Sequence, residues 1–336
     1  MTSTRPLTPE EQKRIERRQR TMRNRRGRKN PAVMPDRLAR TSAFAPRRQG
    51  LITDSNFVRV YEVPGYSVVE VRGRELGSQH RDAIYAVFRL RGDKVKEDNP
   101  HYRPKSFTLP FDIFYETRTT WRALLKAMGR TEHVNNVTSL LTVFQEIQQV
   151  IVIVHEGRSL EELERIRTSK AARQMPDTRG SAEPIISKVS WDGAQLDSAV
   201  TVRFGADMLR MIEKAHLVSI NADVQFRLRS DHAKVFWPFI DSQPDHAYID
   251  ENRLAQLSGR TLWGEGSSSA QRAQFRKECR EAFKDMVIAG GLAGWTEEVT
   301  GTGWKKSRRY RYEHATPRQF EMGLAPKGDA QGTLSL

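Results

Sequence analysis

The chain has 336 residues, with 56 Lys/Arg against 41 Asp/Glu and a formal net charge of +15, so it has room for two ordinary domains plus tails and calls for a polyanionic partner. The longest apolar run, Val150–Val154, is far short of the roughly 20 residues a membrane-spanning helix needs, and the Arg-rich start has no apolar stretch behind it, which excludes a secretory signal. A single cysteine, Cys279, excludes a disulfide framework or a cysteine-built metal site within one chain.

Residues 1–50 carry 15 Lys/Arg against 4 Asp/Glu, so most of the net charge sits there. Ile15 and Met22 are nearly the only large apolar groups in its core, too few to offset the entropy of ordering it. This predicts a disordered or nascently helical arm over 1–50, suited to lying along a phosphate backbone or, more blandly, to keeping the chain soluble.

Two versions of one pattern follow. In the first, Ile84, Val87 and Phe88 share a helical face behind a cap at Ser78, and Phe107–Phe111 is a strand candidate. A short helix from Trp121 stops at Gly129-Arg130. A longer helix, His133–Gln149, has Val134, Val137, Leu141, Phe144 and Ile147 at spacings of three and four, and Val150–Val154 reads as a buried strand. Ser159 and Glu162 form a capping box opening a polar helix to about Arg173. Ile185–Trp191 and Val200–Phe204 look like strands that complete the first wing, and Ala206–His216 is an amphipathic connector.

The second version starts at Asp231–Ile240, where Pro238 should kink or shorten the helix. Tyr248-Ile249 is a short extended piece. Asp250 caps the helix Glu251–Leu257, which Ser258-Gly259-Arg260 breaks, and a long helix from about Ser268 to Ala289 ends at Gly290-Gly291. The short helices match: LLKAMGR over Leu124–Arg130 and LAQLSGR over Leu254–Arg260. Helix, strand, helix, tight turn, longer helix and strand pair is the order of a winged helix, in which the longer helix lies in the major groove. Within the long helix Phe275, Cys279, Ala282, Phe283 and Met286 form the buried face, which makes Cys279 a small core residue. Arg276, Lys277, Arg280 and Lys284 occupy the neighbouring sector, while Ser268, Ser269, Gln271 and Arg272 near the helix start are expected at base edges. Trp295–Val299 and Trp304–Tyr312 form a hairpin wing whose Lys305, Lys306, Arg308, Arg309 and Arg311 suit phosphate or minor-groove contact.

No His-x-His pair stands near a tyrosine, no carboxylate cluster stands out, and Gly301–Ser307 lacks the Gly-Lys-Ser/Thr ending of a phosphate loop, so neither an enzyme nor a cofactor or metal site is expected. Arg229–Ile240 (RSDHAKVFWPFI), Tyr248–Arg260 (YIDENRLAQLSGR), Gln274–Met286 (QFRKECREAFKDM) and Gly290–Trp295 (GGLAGW) resemble the iteron-type plasmid replication initiators, like TrfA and the RepA proteins, over roughly residues 55 to 312.

The resemblance implies an α+β chain of two tandem winged-helix domains: an arm (1–50), an N-terminal domain (51–205), a C-terminal DNA-reading domain (206–315) and a flexible tail (316–336). It further implies a cytoplasmic, nucleoid- or plasmid-associated protein that binds direct repeats in double-stranded DNA, opens the origin and recruits a host initiator and replicative helicase. A homodimer in equilibrium with monomer is also implied. The inserted Leu262–Gly266 and the long arm depart from the family pattern. A winged-helix transcription regulator is the alternative, and a general polyanion binder a weaker third.

Overall fold

The computed structural model describes residues 31–39, 43–63, 67–100, 102–103, 110–156, 159, 161–162, 165, 180–214, 217–243, 245–260, 268–301 and 307–315. The chain opens with β1 (Ala32–Pro35), α1 (Asp36–Ala39) and β2 (Phe44–Ala45), then β3 (Phe57–Val63), β4 (Ser67–Gly73) and β5 (Leu76–Gly77). The first helix-turn-helix unit comprises α2 (Ser78–Leu90), β6 (Asp93–Asp98), β7 (Phe111–Thr120), α3 (Trp121–Ala127), α4 (Val134–Gln148), β8 (Ile151–Glu156) and β9 (Gly180–Pro184). Next come β10 (Ile186–Trp191), β11 (Ala199–Phe204), α5 (Ala206–Lys214), β12 (Leu217–Ile220) and α6 (Ala222–Arg227). The second unit is α7 (Asp231–Asp241), β13 (Tyr248–Asp250), α8 (Glu251–Leu257), α9 (Ser269–Ile288), β14 (Leu292–Thr300) and β15 (Ser307–His314). This is the expected α+β architecture of two winged helices in tandem.

The C-terminal unit is the plainer one. Its three-stranded sheet has the order β13-β15-β14, all antiparallel, with Tyr248 opposite Arg311 and Trp295 opposite Tyr312. In the N-terminal unit, β8 pairs with β9 and with β4, while β10 pairs with β11 and β11 with β7. The strands at 186–191 and 199–204 therefore do not complete the first wing as expected. The chain leaves one sheet for the other at Ile185, between β9 and β10, and alternation alone carries no information about which partner a strand takes. The strand before the short helix, β7, also runs from Phe111 to Thr120, later than the expected Phe107–Phe111, of which 107–109 lie outside the described residues, and it is preceded by β6.

The arm boundary shifts as well. Residues 1–30 and 40–42 lie outside the described residues, but 31–39 and 43–50 are built into the fold rather than disordered: β1 pairs antiparallel with β12 (Ala32 opposite Ile220), and β2 pairs parallel with β5. Ala32, Met34 and Phe44 are fully buried, so this piece carries apolar groups that the Arg-rich stretch before it lacks. The amphipathic connector is present as α5, with Met208 and Leu209 buried. Of the polar helix expected after Ser159, the described part is residues 161–162 and 165, which are helical, and the cap, where Glu162 N–H donates to Ser159 Oγ at 3.2 Å. The tail after Ala315 lies outside the described residues.

One continuous apolar core runs through both halves, and α2 is the element they share. Ser78 is not the cap of this helix. Gly77 holds that position, its N–H donating to His80 Nδ1 at 2.9 Å, while Ser78 Oγ donates to Asp231 at 2.6 Å. Pro238 does not shorten α7, which continues to Asp241. A proline removes the N–H that would bond the carbonyl four residues back. Here that carbonyl, on Lys234, accepts instead from Arg81 Nη1 and Gln225 Nε2, each at 3.3 Å, and Arg81 also donates to Val235 O at 3.0 Å. Arg81 is fully buried beneath the Phe44 ring, and Asp82 pairs with Lys234 beside it.

Candidate nucleic-acid interface

The two helix-turn-helix turns are built from the same hydrogen bonds. Gly129 N–H donates to Lys126 O and Arg130 N–H to Leu125 O; Gly259 N–H donates to Gln256 O and Arg260 N–H to Ala255 O. Both glycines sit at positive φ, +64° and +66°, where a side chain is strained. Beyond these turns the two longer helices differ. The outer face of α4 shows Val134, Asn135, Thr138, Ser139, Thr142 and Gln145, all uncharged, whereas that of α9 shows Lys277 and Lys284 with Glu281 beside them.

Helix α9 forms where expected. Ser268 caps it, Gln271 N–H donates to Ser268 Oγ at 3.1 Å and Ser268 N–H to Gln271 Oε1 at 2.9 Å, a reciprocal capping box. Phe275, Cys279, Ala282, Phe283 and Met286 are buried, and burial pushes the Cys279 thiol well above its ordinary range. The residues expected at base edges thus divide. Ser268 and the carbonyl of Gln271 are engaged in the cap, Ser269 is exposed, and Arg272 is half-buried. Ala270 and Ala273, overlooked in the sequence, are exposed beside them, and their small size permits close approach to a groove.

The cationic sector divides too. Lys277 and Lys284 are exposed and have no ion-pair partner among the described residues. Arg276 donates to Glu251 at 2.7 Å, and Glu251 is only 4% exposed, so this arginine neutralises a buried carboxylate at the start of α8. Arg280 donates to Glu297 at 2.8 Å, and Arg308 takes the other oxygen of the same carboxylate. Burial pushes Glu297 up, but the two guanidiniums outweigh it and hold the carboxyl below its ordinary range. Asp285 turns back to accept from Arg229 and Ser230 N–H at 2.7 and 2.8 Å, anchoring the start of α7.

On the hairpin β14–β15, Tyr310 and Tyr312 turn into the core with Arg308 on the same face, and Arg309 and Arg311 turn to the other face. Tyr310 stacks on Phe283 with centroids 5.1 Å apart and planes 7° apart, which fixes the hairpin to α9. Arg309 pairs with Asp250 at 2.9 Å and lies over Tyr248; Arg311 pairs with Glu298 at 2.6 Å. Asp250 stands at the cap position of α8 but its carboxylate bonds Arg309 and not the helix. Lys305 and Lys306 lie outside the described residues. The ion pairs of Asp250, Glu251, Glu297 and Glu298 escaped the sequence reading because the partners are 11 to 59 positions away on other elements.

No protein-family model and no curated protein sequence matches the chain. Among solved structures it is similar to a crystal structure of domains 2 and 3 of RctB, with TM-score 0.50 and 12% identity, over 83% of this chain and 98% of that one. A second crystal structure of RctB domains 2–3 (TM-score 0.45, 11% identity, 85% and 99% covered) is also similar. So is a crystal structure of the Pi initiator protein in complex with iteron DNA (TM-score 0.45, 10% identity, 85% and 98% covered). At these identities the likeness to the first is one of fold. No helix among the described residues is long and apolar enough to cross a membrane.

Proposed function

We propose that this chain is a sequence-specific DNA-binding replication initiator of the iteron-binding plasmid type. In this reading α9 enters the major groove of an origin repeat and the β14–β15 hairpin rests on the flanking backbone. The observation that carries the proposal is the exposed flank of α9, which carries Lys277 and Lys284 beside an arginine-bearing wing. Lys277 and Lys284 serve as phosphate contacts, Ser269, Ala270 and Ala273 face base edges, and the paired arginines present fixed guanidinium edges. The residues 1–30 add salt-sensitive, sequence-independent affinity.

The protein acts by binding and deforming DNA, without a cofactor and without making or breaking bonds. Recruitment of a host initiator and replicative helicase, a monomer–dimer equilibrium and a cytoplasmic, plasmid-associated location complete the proposal. The test uses duplexes carrying tandem direct repeats and scrambled duplexes of the same composition, at physiological salt. Tighter binding to the repeats by at least about a hundredfold is expected. Equal binding would refute sequence-specific function, and permanganate-reactive bases on a supercoiled repeat plasmid would separate an initiator from a simple repressor.

A further inference from the structure

Helix α9 and the hairpin meet at one carboxylate, and its arrangement differs from that of every other ion pair on this face among the described residues. Asp250 and Glu298 each hold a single arginine and are themselves well exposed, Glu251 is buried but holds Arg276 alone, and Glu278 holds one arginine, Arg260, beside His232. Glu297 is 13% exposed and divides its two oxygens between two elements: Oε2 takes Arg280 from the helix at 2.8 Å, and Oε1 takes Arg308 from β15. Its cross-strand neighbour is Tyr310, whose ring is stacked on Phe283 of α9. The polar and apolar sides of the helix–wing junction are therefore locked at the same place.

A negative charge here is a cost to DNA affinity. It lies on the cationic face and lowers the field that draws in phosphates. An arrangement serving affinity alone would leave both guanidiniums unneutralised. What a shared carboxylate does supply is direction: Arg280, held through Nε, and Arg308, held through Nη1, each have the guanidinium tethered at one end, which restricts where the remaining N–H groups point.

From this geometry we infer that Glu297 is a positioning residue for sequence discrimination, trading affinity for a fixed angle between helix α9 and the wing and for fixed guanidinium edges on Arg280 and Arg308. The inference rests on the proposed DNA-reading role of this face.

The experiment uses the full chain and two duplexes of about 30 base pairs: one enriched by the wild-type protein from a randomised library, and its base-shuffled counterpart. Binding is followed by anisotropy across a salt series, with thermal melting as the folding control. For Glu297→Gln the shuffled duplex should bind several-fold tighter, with a log–log salt slope steeper by about one. The ratio of enriched to shuffled affinity should fall about tenfold. Glu297→Asp, which keeps the charge and shortens its reach, should lower the ratio with no change in slope, and serves as the decisive variant if Glu297→Gln loses cooperative melting. A ratio within about twofold of wild type in a folded variant overturns the inference, as does an equal loss of affinity for both duplexes. A wild-type protein that enriches no sequence fails at the proposed function itself, before Glu297 enters.

Discussion

The two helix-turn-helix units share a turn down to the hydrogen bonds around Gly129 and Gly259, yet present different outer faces. That of α4 is neutral, and its Ser139 and Thr142 hydroxyls bond back to the carbonyls of Asn135 and Thr138 at 2.9 and 3.1 Å. That of α9 is charged, with Lys277 and Lys284 beside Glu281 and next to arginines tethered by carboxylates from α8 and β14. The turn is a solution to a packing problem, whereas in the proposed function the charge serves recognition. On that reading the duplicated backbone is frame in one copy and reader in the other.

The comparison is tested most strongly by Arg276→Ala. It strands the buried carboxylate of Glu251, and the loss of one partner of such a pair should cost about 3–4 kcal/mol of stability, measured as a shift in denaturant midpoint at constant slope. A loss under about 1 kcal/mol would mean Arg276 is held on the surface for DNA alone. The pH dependence of the second unit comes next. His232 is buried against Phe236 and Phe275, and desolvation lowers its pKa from 6.5 to about 4 despite the opposing pull of Glu278. The unfolded chain binds the extra proton first, so stability is full above about pH 6.5 and falls as pH drops toward about 4, by up to about 3 kcal/mol. His80 in the first unit is shifted the same way by burial. Urea titrations of His232→Gln across that range should show a shallower decline than wild type; an identical decline would assign the loss elsewhere.

Third in size is a matched pair of charge reversals. Lys277→Glu with Lys284→Glu should weaken DNA binding at least about a hundredfold, roughly 2.7 kcal/mol, without altering melting. Thr138→Glu with Thr142→Glu on α4 should weaken it less than about tenfold. Equal effects would erase the distinction between frame and reader. Smallest are Gly129→Ala and Gly259→Ala, each expected to cost about 1 kcal/mol in melting experiments because both require positive φ. A cost at one position only would show that the two turns are not equivalent.

Much of this was legible from local sequence. The matching LLKAMGR and LAQLSGR segments, the limits of α9 and the burial of Cys279 all follow from spacing and capping within a few residues. What was not legible depends on partners far along the chain. Pro238 reads as a helix breaker until Arg81 and Gln225 take the freed Lys234 carbonyl. Arg276 and Arg280 read as free cations until Glu251 and Glu297 reach them. The strands at 186–191 and 199–204 show the right alternation but not their partner, and residues 31–50 read as arm because the Arg-rich stretch before them dominates the composition.

The pairing of β1 with β12 also bears on the order in which the molecule is made. A ribosome releases the chain from its N-terminus, and domains tend to fold as they emerge. Ala32–Pro35 is among the first segments out, but its partner, Leu217–Ile220, follows only after the whole first helix-turn-helix unit has been synthesised. The same delay applies to Arg81, whose carbonyl acceptors lie on α7. The N-terminal half must therefore wait, with an unpaired strand and a buried-to-be guanidinium, until the second half arrives to close it. A nascent chain arrested before residue 217 should accordingly be far more protease-sensitive in its first half than the completed protein.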